Sequence, residues 1–177
     1  MQRCDVAHAR DPRRQSFQAL SSGASNAPYD LFFGDHGVED LARAPRHTAA
    51  WDGVRNYQAR NMIRDDMQRG DKAFLYHSSC DVPGIAGVMR ITKAAYPDAT
   101  AFDRRHPHYD EDSVRAQPRW FMVDVRLERK LARVISLDEL RAHGAKELSG
   151  LVLLRPGNRL SVMPVDAAHW HFICSLE

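Results

Sequence analysis

Residues 51–60 read Trp51-Asp52-Gly53-Val54-Arg55-Asn56-Tyr57-Gln58-Ala59-Arg60, and this stretch decides the fold. An indole comes first, then a glycine that lets the backbone turn or approach a ligand closely. Arg55, Asn56 and Arg60 bring polar heads to the start of a predicted helix, where anionic groups are favoured. An aromatic face with amide and guanidinium donors suits an unstacked nucleobase. Plainer readings stay open: a lone tryptophan is more often core than cage, and Asn56 can serve as a helix N-cap.

Outward from this stretch, hydrophobic periodicity sets the elements. A helix is predicted over 56–68, with Ala59, Met62, Ile63 and Met67 on one face and Gly70 as its C-cap. A strand over 72–77 puts Phe74 and Tyr76 on one face and Ala73 and Leu75 on the other. A strand over 85–92 is apolar on both faces except at Arg90, which suits a covered sheet or a barrel. Residues 96–118 form a long irregular connection rich in Asp, His and Pro, of a length usually tied to function. The strand over 120–127 alternates cleanly, with Phe121, Val123, Val125 and Leu127 on one face. Ser136 and Glu139 make a capping-box pattern, and Asp166 stands where it caps a last helix. Pro156-Gly157-Asn158 is a turn running into a short strand over 159–163. Upstream, residues 29–33 can form a strand and 38–44 a short helix with Leu41 inward. Residues 1–28 are polar, aperiodic and linker-like, so disorder is expected there and one domain over 29–177. The fold expected from this order is α+β, a mixed or antiparallel barrel-like sheet with short helices around it.

Composition narrows function by exclusion. The 177 residues carry a formal net charge of +2, with both signs spread along the chain and no single-sign block. No run approaches the roughly 18 apolar residues that span a bilayer, so no membrane partner is expected. Three cysteines, far apart and odd in number, argue against a disulfide framework and for a reducing, cytoplasmic setting. His106, His108, His169 and His171 lack zinc-site spacing, so no metal is expected, and no Walker A or GxGxxG loop implies a nucleotide cofactor. There is no GxSxG elbow. His77 and Ser78 have the right types for a relay, but neighbours on a strand point to opposite faces. They suit hydrogen bonding to a ligand better. Arg159 and Ser161 belong to the pocket rim on the functional reading of their turn, and to a plain hairpin on the other.

Taken together, "WDGVRNYQARNMIRDDMQRGDKAFLYHS", "GIAGV", "AYPDATAFD", "PRWFMVDV" and "LLRPGNRLSVMPV" resemble the EVE domain, of the PUA-like superfamily that also holds the YTH and ASCH domains. The resemblance runs from about Val38 to Leu176. It implies a PUA-like pseudo-barrel with a deep pocket, and a nucleic-acid partner carrying a modified base. Modified cytosine in DNA comes first, with RNA as the alternative. It implies a base pocket of Trp51, Arg55, Asn56, His77, Ser78 and Ser161, and phosphate contacts from Arg60 and Arg159. The implied role is non-enzymatic. Rival readings are an enzyme or accessory factor acting on modified nucleic acid, and an adaptor with a degraded pocket. One departure stands out. The family begins with a barrel strand of the Tyr-Trp-Leu-Met kind, followed by Lys-Ser-Glu-Pro. Residues 29–37 contain neither. The first strand is thus absent or replaced by residues 29–33, unless the reading frame changes near Gly37.

Overall fold

The computed structural model describes residues 29–33, 37–78 and 80–177, with 29–33 as backbone only. The disorder expected for 1–28 lies outside the described residues. So do residues 34–36, between the expected first strand and first helix.

The strands are β1 (Tyr29–Phe33), β2 (Thr48–Trp51), β3 (Lys72–His77), β4 (Gly84–Pro97), β5 (Phe121–Ser136) and β6 (Val162–Pro164). They form a six-stranded sheet in the order β2-β5-β4-β3-β1-β6. β1 is parallel to β3 and antiparallel to β6, and the other pairs are antiparallel, so the sheet is mixed. Among the described residues it is open, with β2 and β6 as its edges, rather than a closed barrel. The short helices are α1 (Val38–Arg43), α2 (Tyr57–Asn61), α3 (Leu137–Ala142) and α4 (Ala167–Ser175). The α+β class expected from the sequence is the class observed. The place between β3 and β6 is filled by β1, which pairs along its length from Tyr29 opposite Lys72 to Phe33 opposite Tyr76.

The period-2 pattern of β3 divides two cores. Ala73 and Leu75 join Val38, Leu41, Ile63, Met89, Val123 and Val125 in one cluster. Phe74 and Tyr76 join Ile85, Leu131, Ile135, Leu140, Trp170 and Ile173 in the other. There the Phe74 and Trp170 rings stack at 3.9 Å, seating α4 on the sheet. β4 and β5 are long enough to serve both cores. Register shifts at four points of their ladder bend the pair between them.

Four expectations are corrected. The helix expected over 56–68 is α2 followed by a π-turn, Met62–Asp66, and it stops at Met67, whose extended backbone leads away. Gly70 is not its C-cap; its N–H donates to Ile91 O at 2.8 Å and joins the sheet. The strand over 120–127 continues to Ser136, because its charged half finds partners: Lys130 pairs with Glu39, Arg129 with Glu177, and Arg133 with Glu139. Asp166 stands at the N-cap of α4 without a side-chain capping bond. The cap on α3 is as expected, with Ser136 Oγ accepting from Glu139 N at 3.1 Å.

Candidate nucleic-acid interface

β2 delivers residues 51–60 to the sheet edge. Trp51 lies opposite Val123 and is 8% exposed, within the first core. The chain then turns at Gly53 in the left-handed region, φ +74°, and its N–H donates to Asp98 Oδ2 at 3.0 Å. A Cβ at Gly53 would lie 2.6 Å from the His108 ring, so only glycine fits this approach.

Arg55 locks that turn to the long connection. Its Nη1 donates to Asp98 Oδ2 at 2.7 Å, its Nη2 to Thr100 Oγ1 at 3.1 Å, and its Nε to His108 O at 2.8 Å. Asp98 is fully buried. Burial pushes its carboxyl up, but hydrogen bonds from Thr100 and Arg55 and from the Gly53 and Thr100 amides outweigh it and hold the group below its usual range. Arg60 does a similar job one turn on, donating from Nη1 to Arg119 O at 2.8 Å. Its guanidinium also lies 5.1 Å over the Tyr57 ring. Trp120 is anchored by its indole N–H on Asp110 Oδ2 at 2.5 Å and packs 5.0 Å from Tyr57. Tyr57 itself is 55% exposed.

Asn56 meets both of its readings. Its Oδ1 accepts from Gln58 N and Ala59 N, capping α2, while its NH2 has no partner among the described residues. It also lines a cavity of about 660 Å³ between α2 and the segment 152–164. Gln58, Met62, Arg155, Asn158 and Arg159 line it too. Arg155 and Arg159 are exposed, and their guanidinium groups have no partner among the described residues. Thus Asn56 and Arg159, expected from opposite ends of the sequence, are brought together.

The other expected residues do not line this cavity. His77 uses Nε2 to accept from Val38 N at 2.9 Å, which caps the start of α1. Ser78 is exposed just past β3, and Ser161 is half-buried just before β6. Gln58, Met62, Arg155 and Asn158 were missed. Arg155 precedes the Pro156-Gly157-Asn158 turn as Arg159 follows it, and that symmetry was the available signal. No cluster of His, Cys, Asp or Glu among the described residues could hold a metal. His169 is buried with Nε2 at 3.0 Å from Ser149 O. No helix among the described residues is long and apolar enough to cross a membrane.

Known proteins align with this geometry. Human thymocyte nuclear protein 1 is 47% identical over 145 residues, covering 79% of this chain and 64% of its own length. The match therefore spans under two thirds of that relative. The solved structure of human THYN1 in complex with 5-methylcytosine-containing DNA has a TM-score of 0.79 at 42% identity, covering 84% of this chain and 96% of that one. A Pseudomonas putida protein has a TM-score of 0.79 at 44% identity, covering 84% and 98%. The EVE domain pattern itself matches residues 34–176, and the chain belongs to the EVE domain family.

Proposed function

We propose that this chain binds nucleic acid and reads a modified base, modified cytosine in DNA foremost, without catalysing a reaction on it. The observation that carries the reading is the relative of the same fold solved with 5-methylcytosine-containing DNA. The chain's own geometry supports it. A cavity of about 660 Å³ is within the range of roughly 300–1,000 Å³ usual for small-ligand sites. Its amides suit a base edge and its free guanidinium groups suit phosphate. In this reading Asn56 and Gln58 meet the base edge, Tyr57 supplies the stacking face, and Arg155 and Arg159 hold flanking phosphates. Trp51, Arg55 and Arg60 build the wall behind them. His77 braces α1, and Ser78 and Ser161 remain candidate hydrogen-bonding groups at the rim.

A binding role rather than a catalytic one is supported by Asp98, the fully buried carboxylate of this wall, whose oxygens already accept from Arg55, Thr100 and Gly53. A reducing, cytoplasmic compartment is proposed from the three cysteines, odd in number and far apart in the sequence. The test is a binding panel at one stated salt concentration: the same oligonucleotide with cytosine, 5-methylcytosine, 5-hydroxymethylcytosine or N6-methyladenine, as DNA and as RNA. The expected result is tightest binding to a modified cytosine in DNA, with the oligonucleotide recovered unchanged. Equal affinity for every member would refute base reading, and conversion of the oligonucleotide would favour an enzyme.

A further inference from the structure

A second hollow, of about 450 Å³, opens where β2 begins, walled by Pro45, Arg46, Thr48, Thr92 and Arg126. Two of these five are arginines. Both are exposed, and neither guanidinium has a hydrogen-bond or ion-pair partner among the described residues. Their surroundings keep them so. Arg126 faces Thr48 across β2 and Arg90 across β4. Asp124 and Glu128, two places either side of Arg126, are both engaged. Asp124 Oδ1 accepts from the Tyr96 hydroxyl at 2.5 Å, and Glu128 accepts from Arg90 Nε. Arg90 is further held by Gly70 O at 3.0 Å. Positive charge at the hollow is therefore left unmatched.

The backbone makes a second point. Arg46 and His47 both lie in the left-handed region, at φ 56° and 53°, which non-glycine residues seldom adopt. Thr48 Oγ1 donates to Arg46 O at 3.0 Å and His47 Nδ1 lies 2.6 Å from Ala42 O, fixing the turn. Glycine would make this turn without strain. An arginine accepts the strain and sets a guanidinium at the mouth of the hollow, the sort of local cost found at ligand sites.

We propose that this hollow is a phosphate-binding site in which Arg46 and Arg126 grip one phosphate group. The hydroxyl protons of Thr48 and Thr92 are already given to the carbonyls of Arg46 and Asp124, so the two guanidinium groups carry the recognition. The phosphate assigned is a diester of a nucleic-acid backbone running past the sheet edge. That source, unlike the site itself, rests on the function proposed above.

The test pairs two readouts on the full chain and on an Arg46→Gly/Arg126→Gln variant. Arg46→Gly removes the guanidinium and relieves the positive φ, so the fold is retained. In the first readout, inorganic phosphate is titrated against chloride at equal ionic strength while backbone amides are followed by NMR. Phosphate should shift the amides of Arg46, Thr48 and Arg126 in the native chain and leave them still in the variant. In the second, duplex affinity is measured across salt concentrations. Losing both arginines removes one gripped phosphate, so the slope of log K against log salt should become less negative by about 0.9. The preference between modified and unmodified duplex should not move. Phosphate shifts with an unchanged slope would keep the site and overturn the nucleic-acid source. Absent phosphate shifts together with an unchanged slope would overturn the proposal. If no oligonucleotide binds, the proposed function fails by itself, and the phosphate titration alone decides the site.

Discussion

Arg55→Met tests whether Arg55 is a strut of the wall rather than a ligand contact. The substitution keeps the aliphatic stem and removes every donor. In the folded chain those donors go to Asp98, Thr100 Oγ1 and the carbonyls of His108 and Val54. Breaking one side of a buried ion pair costs about 3–5 kcal/mol. Two features lower the figure here. The Arg55 side chain is 21% exposed, and Asp98 keeps its bonds from Gly53 N, Thr100 N and Thr100 Oγ1. The expected loss at neutral pH is about 2–3 kcal/mol, just below the buried-pair range.

The pH dependence has a definite sign. Asp98 titrates below its usual value in the folded chain. Its contribution is complete above the unfolded-state value, near about 3.9, and is lost as pH falls through the folded-state value. Without Arg55, burial gains ground against the remaining hydrogen bonds and the folded-state value rises. The acid limb of the stability curve should therefore move to higher pH in the variant. Urea unfolding across the acid range, with oligonucleotide binding measured on the same samples, reads both effects. Stability unchanged within about 0.5 kcal/mol, the usual surface tolerance, alongside abolished binding would show that Arg55 touches ligand and refute the strut.

Tyr57→Ala should leave stability within about 0.5 kcal/mol, since the ring is largely exposed, yet weaken oligonucleotide binding by about 1–3 kcal/mol if a base stacks on it; equal affinities would remove it from the interface. Arg155→Gln and Arg159→Gln should each make the salt slope of binding less negative by about 0.9 if each holds a phosphate, and an unchanged slope in both would detach the cavity from the backbone path. Trp51→Ala should cost about 3–5 kcal/mol in unfolding experiments, as a large core deletion does; wild-type stability with lost affinity would return the indole to the ligand.

Much of the scaffold was legible because it rests on local periodicity. Alternation along β3 assigned Phe74 and Tyr76 to one face and Ala73 and Leu75 to the other, and they do enter different cores. The far half of β5 was not legible. Glu128, Arg129 and Lys130 break the apolar alternation there, and Arg90, Glu177 and Glu39, distant in sequence, make that charged strand workable. The π-turn after α2 was equally hidden, because Met62, Ile63 and Met67 fit an ordinary helix by spacing alone.

The site shows a sharper limit. The residues that drew attention in the sequence are polar groups beside aromatic and apolar ones, and burial of such groups demands partners. Arg55 and His77 found theirs in carbonyls, a carboxylate and an amide of this chain, and Arg60 found one carbonyl while its Nε stays buried without a hydrogen-bond partner among the described residues. A side chain whose polar atoms close the fold has little left to offer a ligand. Groups left over are exposed arginines such as Arg155 and Arg159, which look like any solvated surface residue until the fold sets two of them on one hollow. Asn56 escapes the choice because an amide has two ends. Its oxygen caps α2 and its NH2 stays available in the cavity. Asn56→Asp separates the two ends: an aspartate caps a helix as well as asparagine does, so stability should hold. The donor becomes an acceptor, and a base edge that accepts from Asn56 should bind at least tenfold more weakly, about 1.4 kcal/mol. Intact affinity would leave Asn56 with the cap alone.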